Sequence, residues 1–376
     1  MNDEYYMKRA IELARKAVGH TSPNPLVGSV IVKNGKIIGE GYHAQFGGKH
    51  AEIVAIESAT EPVEGATLYC NLEPCCHDIP EKKTPPCAPR LIREKIKRVV
   101  IANRDPNHHV NGQGIRMLRN AGIEVKTDVL AAKAALLNET YYKFIQSHQP
   151  FVHLKIAQSL DGRIATANGH SHWITNSTAR KLVHQWRAEY DAVLVGTKTV
   201  LKDNPSLTVR DVPGRNPRRI VLDDQLVIPD QAHLISDELA DKTILFTAKP
   251  ESDARARQLR KRGVQVLQAP TDDAGHLDIR VILQKLAEME IASLLVEGGG
   301  EVFTSFVKQR IFDKISIFIA PMIIGAGVES IGSLGISSLS EALRLQKIRI
   351  EIIDGQALVQ GYRNFTEIFT RNLKEN

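Results

Sequence analysis

The chain has 376 residues, 43% hydrophobic and 24% charged, with a formal net charge of +6 and a pI near 9.0. That length favours two domains over one core; no run of about 18 apolar residues suggests a membrane-spanning helix, and the polar start Met1-Asn2-Asp3-Glu4 lacks a signal-peptide core. Basic residues are dispersed among acidic ones, and the densest group, Arg255, Arg257, Arg260, Lys261 and Arg262, reads as the solvated face of a helix, so the charge suits phosphorylated small molecules better than nucleic acid.

Met7, Ala10, Ile11, Ala14 and Val18 recur at helical spacing and predict an opening amphipathic helix. Strands follow at 27–32 and 37–42, joined through Lys33-Asn34-Gly35-Lys36, where Asn-Gly is a strong hairpin signal. The run Ile53-Val54-Ala55-Ile56 reads as a helix after His50, and a strand is expected at 67–72, with Cys70 on its core face beside Leu68 and Leu72. Pro74-Cys75 reads as a turn into a helix, where the dipole favours a thiolate. A strand at 98–102, a helix near 114–121, a strand at 123–126 and one helix over about 130–145 complete a layered α/β unit. The polar stretch Ser147-His148-Gln149-Pro150 marks a boundary, giving domains at 1–147 and 148–376. Beyond it, strands are expected at 151–157, 192–195, 220–222, 243–246, 294–296 and 314–320, with helices between several of them. No Gly-x-Gly-x-x-Gly fingerprint follows a strand, so a Rossmann dinucleotide site is not supported. Val296-Glu297-Gly298-Gly299-Gly300 instead runs a strand into a glycine turn and a helix, whose bare N–H groups would favour phosphate; a flexible turn is the plainer alternative.

His50-Ala51-Glu52, followed by Pro74-Cys75 and later by Cys87, resembles the zinc centre of cytidine-type deaminases. One imidazole and two thiolates leave a fourth tetrahedral position open for water, the mark of a catalytic zinc, and the metal lowers the pKa of that water to about 7 in favourable sites. Glu52, two residues after His50 on a helix, does not share its face and is free to shuttle protons. Of the three thiols here, Cys75 and Cys87 are the expected ligands and Cys76 is not, because neighbouring residues seldom point both sulfurs at one centre. Metal-ligand context for the Cys residues fits a reducing compartment, and cytoplasmic residence is expected.

Eleven residues separate Cys75 from Cys87, and Leu72-Glu73-Pro74-Cys75, His77 and Thr84-Pro85-Pro86-Cys87 resemble the deaminase half of the bifunctional riboflavin-biosynthesis deaminase–reductase family. Thr21 through Gly28 and Asp105-Pro106-Asn107 are similar to its other deaminase landmarks; Lys155 through Arg163, Ser171 through Thr175 and Gly196 through Arg210 resemble its reductase half. The resemblance implies a cytidine-deaminase-like α/β/α layered domain followed by a dihydrofolate-reductase-like α/β domain, holding zinc and NADPH respectively. The first would hydrolyse the 2-amino group of 2,5-diamino-6-(5-phosphoribosylamino)pyrimidin-4-one, and the second would reduce the ribosyl group of the product to ribityl. Asn24, His43 and Lys83 fall on deaminase substrate positions, although a loop longer than the family's lets Lys82 compete with Lys83. Ala157, Trp173, Thr199, Asp203 and the stretch Gly299, Gly300, Glu301, Val302, Phe303, Thr304 and Ser305 fall on cofactor positions. Ser171, Arg187, Leu207, Arg210 and Glu297 fall on reductase substrate positions, with Arg187 and Arg210 suited to a ribose phosphate. Lys155 and Asp203 are the catalytic candidates near hydride transfer, an ion pair between them being the structural alternative. The implied partners are phosphorylated pyrimidines, with no nucleic acid or membrane and a homo-oligomeric assembly; a nucleic-acid or nucleotide deaminase with a C-terminal binding module, or a zinc-stabilised scaffold, are the rival readings.

Overall fold

A computed structural model describes residues 2–77, 84–171 and 174–373, with side chains up to residue 369 in the last helix. They divide into two compact units, Met1–His148 with Thr366–Asn376, and Gln149–Phe365.

In the first unit, helix α1 (Asp3–Arg15) starts at Asn2, whose side chain accepts the Tyr5 N–H. Strands β1 (Gly28–Lys33) and β2 (Lys36–Tyr42) form a hairpin in which Asn34 and Gly35 both take positive φ, the geometry a two-residue turn between twisted strands requires. Then come α2 (Ala51–Glu57), β3 (Thr67–Leu72), α3 (Cys87–Arg93), β4 (Arg98–Asn103), α4 (Gln113–Asn120), β5 (Glu124–Lys126), α5 (Ala131–Leu137) and α6 (Glu139–Ser147). The sheet runs β2-β1-β3-β4-β5, antiparallel at β1 and parallel from β3 to β5. Strand alternation sorts its side chains between two layers. Leu68, Cys70, Val99 and Ile101 pack with Ala55, Ala88, Leu91 and Leu118 of α2, α3 and α4, while Tyr69, Val100 and Ala102 pack with Met7, Ala10 and Ile11 of α1 and Ala134 of α5.

Two local expectations fail here. The single helix over 130–145 is broken at Asn138, whose buried side chain accepts the Leu26 N–H and donates to the Leu26 carbonyl, at 2.8 and 3.0 Å. Nor does Pro74-Cys75 open a helix: residues 73–77 are irregular, and the helix begins at Cys87.

The second unit contains β6 (Phe151–Ser159), β7 (Arg163–Thr166), α7 (Ser177–Glu189), β8 (Ala192–Gly196), α8 (Thr197–Asp203), β9 (Arg218–Leu222), α9 (His233–Ser236), β10 (Thr243–Thr247), α10 (Ala254–Lys261), β11 (Gln265–Gln268), α11 (Ile279–Glu288), β12 (Ser293–Val296), α12 (Gly300–Lys308), β13 (Lys314–Ala320), β14 (Gly327–Glu329), β15 (Gln346–Ile353) and β16 (Gln356–Tyr362). Nine strands form one sheet in the order β11-β10-β9-β8-β12-β6-β13-β16-β15, parallel from β11 to β13 and antiparallel at β16 and β15. Strands β7 and β14 pair separately. One sheet face packs on α11 and α12 through Leu283, Leu286, Phe303 and Phe306, and the other on α8, α9 and α10 through Val200, Leu234 and Leu259. Helix α7 is tied to the sheet where the Tyr190 hydroxyl meets Nδ1 of buried His153 at 2.8 Å and Trp186 packs on Phe318.

A last helix, α13 (Phe365–Leu373), belongs from Thr366 onward to the first unit. There Phe369 packs edge-on against Tyr142, and Gln146 donates to the Ile368 carbonyl.

Candidate active sites

The first site forms where α2, α3 and the segment after β3 converge. His50 caps α2 with an extended backbone, which turns its ring towards Cys75 and Cys87. Its Nδ1 lies 3.4 Å from the Cys75 sulfur and 3.3 Å from the Cys87 sulfur. A tetrahedral zinc with bonds of about 2.0–2.3 Å separates its ligands by roughly 3.5 Å, so these donors fit that metal. Among the described residues they are the one His, Cys and carboxylate group with metal-holding spacing. The helix expected at Cys75 is replaced by α3, whose first N–H, on Cys87, points at the Cys75 sulfur from 3.4 Å, so Cys75 receives a helix N-terminus across space. Cys76 is outside this set and packs against the core. Glu52, in the first turn of α2, is buried and outside the ligand group; burial raises its pKa while His50 opposes the shift.

Thr84 and Glu73 had no assigned role in the sequence reading. The Thr84 hydroxyl lies 2.8 Å from His50 Nε2 and fixes the ring with Nδ1 turned to the sulfurs. Buried Glu73 accepts the N–H groups of Asp105, Gly112 and Ile115 at 3.2, 2.9 and 3.0 Å, which anchors Pro74-Cys75 against the 105–115 segment. Asp105 is buried too, and burial pushes its carboxyl up to about 7 against hydrogen bonds from the Asn107 N–H and the Tyr141 hydroxyl. His43 is buried beside His50, and its Nδ1 faces the Lys49 carbonyl at 3.0 Å and must donate. Its Nε2 therefore accepts from the Asn24 amide at 3.1 Å, which orients that amide. Lys82 and Lys83 lie outside the described residues.

The second site is a cleft of about 1720 Å³ at the carboxyl ends of β6, β8 and β12, the usual place for ligands of a parallel sheet. Lys155, Ala157, Ser171, Arg187, Thr199, Asp203, Arg210, Glu297 and the run from Gly299 to Ser305 line it. Leu207 is absent from this wall; it is buried in the core with φ +53, and Trp173 lies outside the described residues. The triple glycine is a tight junction and not a loose turn. A side chain on Gly298 would come 2.4 Å from Val195 Cα and one on Gly300 2.4 Å from the Glu329 carbonyl, while Gly299 has φ +67. Helix α12 then starts with no side-chain cap at its first turn, leaving its N-terminus suited to an anion.

At the cleft floor Arg187 holds Glu297 in a two-pronged pair at 2.5 and 2.9 Å, and its third nitrogen donates to the Thr208 carbonyl at 3.1 Å. In this cleft the Arg187 guanidinium is paired with a carboxylate, whereas that of Arg210 is exposed at the rim. Lys155 pairs with Glu297 at 3.9 Å, so the ion pair with Asp203 does not form; Asp203 is exposed and receives the Ser171 hydroxyl at 3.3 Å. Burial pulls the Lys155 pKa down, with Glu297 opposing. Burial would lift Glu297, but Arg187 and Lys155 hold it below the ordinary value.

Residues 150–359 match the family model described as RibD C-terminal domain, and residues 1–103 match the cytidine and deoxycytidylate deaminase zinc-binding region. The riboflavin biosynthesis protein RibD of Aquifex aeolicus is 47% identical over 364 residues, covering 96% of this chain and 99% of its own. Its counterpart from Bacillus amyloliquefaciens is 44% identical over 352 residues, 93% of each chain. Among solved structures, a diaminohydroxyphosphoribosylaminopyrimidine deaminase/5-amino-6-(5-phosphoribosylamino)uracil reductase of Thermotoga maritima superposes with a TM-score of 0.84 at 41% identity, covering 96% of this chain and 98% of that one.

Proposed function

Because the chain belongs to the bifunctional riboflavin-biosynthesis deaminase–reductase family, we propose that its two units carry out that family's two steps with the residues described above. The first unit removes the 2-amino group of 2,5-diamino-6-(5-phosphoribosylamino)pyrimidin-4-one, and the second reduces the ribosyl group of the resulting uracil to ribityl. His50, Cys75 and Cys87 hold the zinc, which when bound makes water nucleophilic near neutral pH. Glu52 takes a proton from that water and returns it to the departing amine, so ammonia leaves neutral. Asn24, oriented by His43, and Lys82 or Lys83 hold the substrate.

In the second unit the Gly298–Gly300 junction and the start of α12 take the phosphates of NADPH, which supplies the hydride for ribose C1. As the C1–oxygen bond of the ring opens, Lys155 gives its proton to the ring oxygen, and Glu297 holds the lysine in place. Arg210 meets the substrate phosphate, and Ser171 and Asp203 face each other at the rim. The match of residues 150–359 to a reductase family's domain removes the nucleic-acid deaminase with a binding module. Among the described residues no helix is long and apolar enough to cross a membrane; cytoplasmic residence, homo-oligomeric assembly and the lack of a nucleic-acid partner are parts of the same reading.

The ligand-spaced His50, Cys75 and Cys87 with Glu52 left outside carries this proposal. Given the diaminopyrimidine substrate, the enzyme should release ammonia first and oxidise NADPH only as the deaminated product accumulates. NADPH oxidation that starts without a lag and without ammonia would refute the order and the assignment.

A further inference from the structure

The cleft contains a histidine to which neither the motifs nor the reaction gives a role. His184 lies mid-way along α7, one turn before Arg187, and is buried at 6% exposure. Its Nδ1 accepts the Arg210 N–H at 3.3 Å, so its proton sits on Nε2, which faces the Asp211 carboxylate at 3.5 Å. Burial pulls the His184 pKa down; Arg187 and Arg210 add to the shift, while Asp211 and Glu297 oppose it, and a neutral acceptor results.

Residues 204–217 form no helix or strand, so nothing regular fixes Arg210. Three consecutive backbone groups are pinned instead. Arg187 donates to the Thr208 carbonyl at 3.1 Å, the Val209 N–H donates to Asn216 Oδ1 at 2.7 Å, and the Arg210 N–H donates to His184. The Arg210 guanidinium folds back onto the Thr208 hydroxyl, at 3.0 Å, and stays exposed. A guanidinium on a loop held this way meets a phosphate without first having to order the loop.

We propose that His184 is a positioning residue of the reductase: it fastens the Arg210 backbone to α7 so that the guanidinium is set for the substrate phosphate. This rests on the reading of Arg210 as the phosphate partner. In the full-length chain, His184→Leu should raise KM for 5-amino-6-(5-phosphoribosylamino)uracil, and the inhibition constant of ribose 5-phosphate, by about 3–10-fold, the range of one ordinary hydrogen bond. The value of kcat should stay within about twofold, with NADPH affinity and ammonia release unchanged. His184→Asn, whose amide oxygen can accept the same N–H, should restore KM; a merely structural role predicts no such split between KM and kcat. Should His184→Leu fail to fold, Asn216→Ala loosens the same loop from its other side and should raise KM alone. An unchanged KM in His184→Leu, with KM raised in Arg210→Ala, overturns the positioning role. An unchanged KM in Arg210→Ala overturns the phosphate reading beneath it.

Discussion

Replacing Arg187 by leucine separates two roles this arginine could play. In the structure it is an internal partner: its side chain is 13% exposed, that of Glu297 is 7% exposed, and two hydrogen bonds of 2.5 and 2.9 Å join them. Removing one member of a buried pair costs about 3–5 kcal/mol, because the other is left charged and unpaired. Lys155, 3.9 Å from the same carboxylate, offsets part of that loss, so about 3 kcal/mol is expected, or roughly 6–12 °C of melting temperature for a unit of this size. Both tryptophans of the chain, Trp173 and Trp186, fall within Gln149–Phe365, so tryptophan fluorescence during urea unfolding reads this unit without the other. Adding Glu297→Gln and Lys155→Met to Arg187→Leu removes the stranded charge and its remaining partner together, and should recover at least about 1 kcal/mol. The deficit should also depend on pH. The folded-state pKa of Glu297 is depressed, so the pair's stabilisation is present above the ordinary glutamate pKa and fades as pH falls through the folded value. A loss under about 1 kcal/mol, with KM raised and no recovery in the combined variant, would refute this reasoning and return Arg187 to direct phosphate contact.

Glu52→Ala should abolish ammonia release while zinc content, by elemental analysis, and reduction of the supplied deaminated intermediate both persist; appreciable deamination would sink the proton-shuttle role. Cys87→Ser should lose zinc and deaminase activity, whereas Cys76→Ser, outside the ligand group, keeps near-stoichiometric metal; the opposite pattern would overturn the ligand set. Glu73→Gln puts an amide where three backbone N–H groups now find a carboxylate, and should cost about 2–4 kcal/mol and weaken zinc retention; a parent-like melting curve would show that the anchor is dispensable. In Gly298→Ala the new carbon meets Val195 Cα at 2.4 Å, and titration should show NADPH binding weakened at least about tenfold, since overpacking costs about 1–3 kcal/mol.

Much of this was legible because the chemistry-bearing residues sit in short, ordered motifs. His50 and Glu52 are two positions apart at a helix start, and period-two alternation marks β3 and β4. What escaped reading depends on distance in sequence. Asn138 looks like an ordinary helix residue until Leu26 is brought to its side chain, and Cys75 receives a helix end that starts twelve residues later. His184 has no motif around it; its partner Arg210 is 26 residues away in a loop. Strand β15 was missed for another reason. Its Ile348, Ile350 and Ile352 alternate with Lys347, Arg349 and Glu351, a period-two pattern like that of a core-facing strand, but it is an edge strand and the isoleucine face is exposed.

The return of α13 bears on how the protein is made. Ile368 and Phe369 are buried in the first unit, at 3% and 1% exposure, yet more than two hundred residues separate them from Tyr142 and Gln146. Chains emerge from the ribosome at about 5–20 residues per second, so the deaminase unit waits on the order of ten seconds or more, with the face around Tyr142 bare, until its last helix is synthesised. The reductase sheet waits almost as long, since β6 pairs with β13 and β13 with β16, which ends at Tyr362. Vectorial synthesis therefore closes the two units nearly together, and a nascent chain arrested well before residue 366 would carry a deaminase still open at one face.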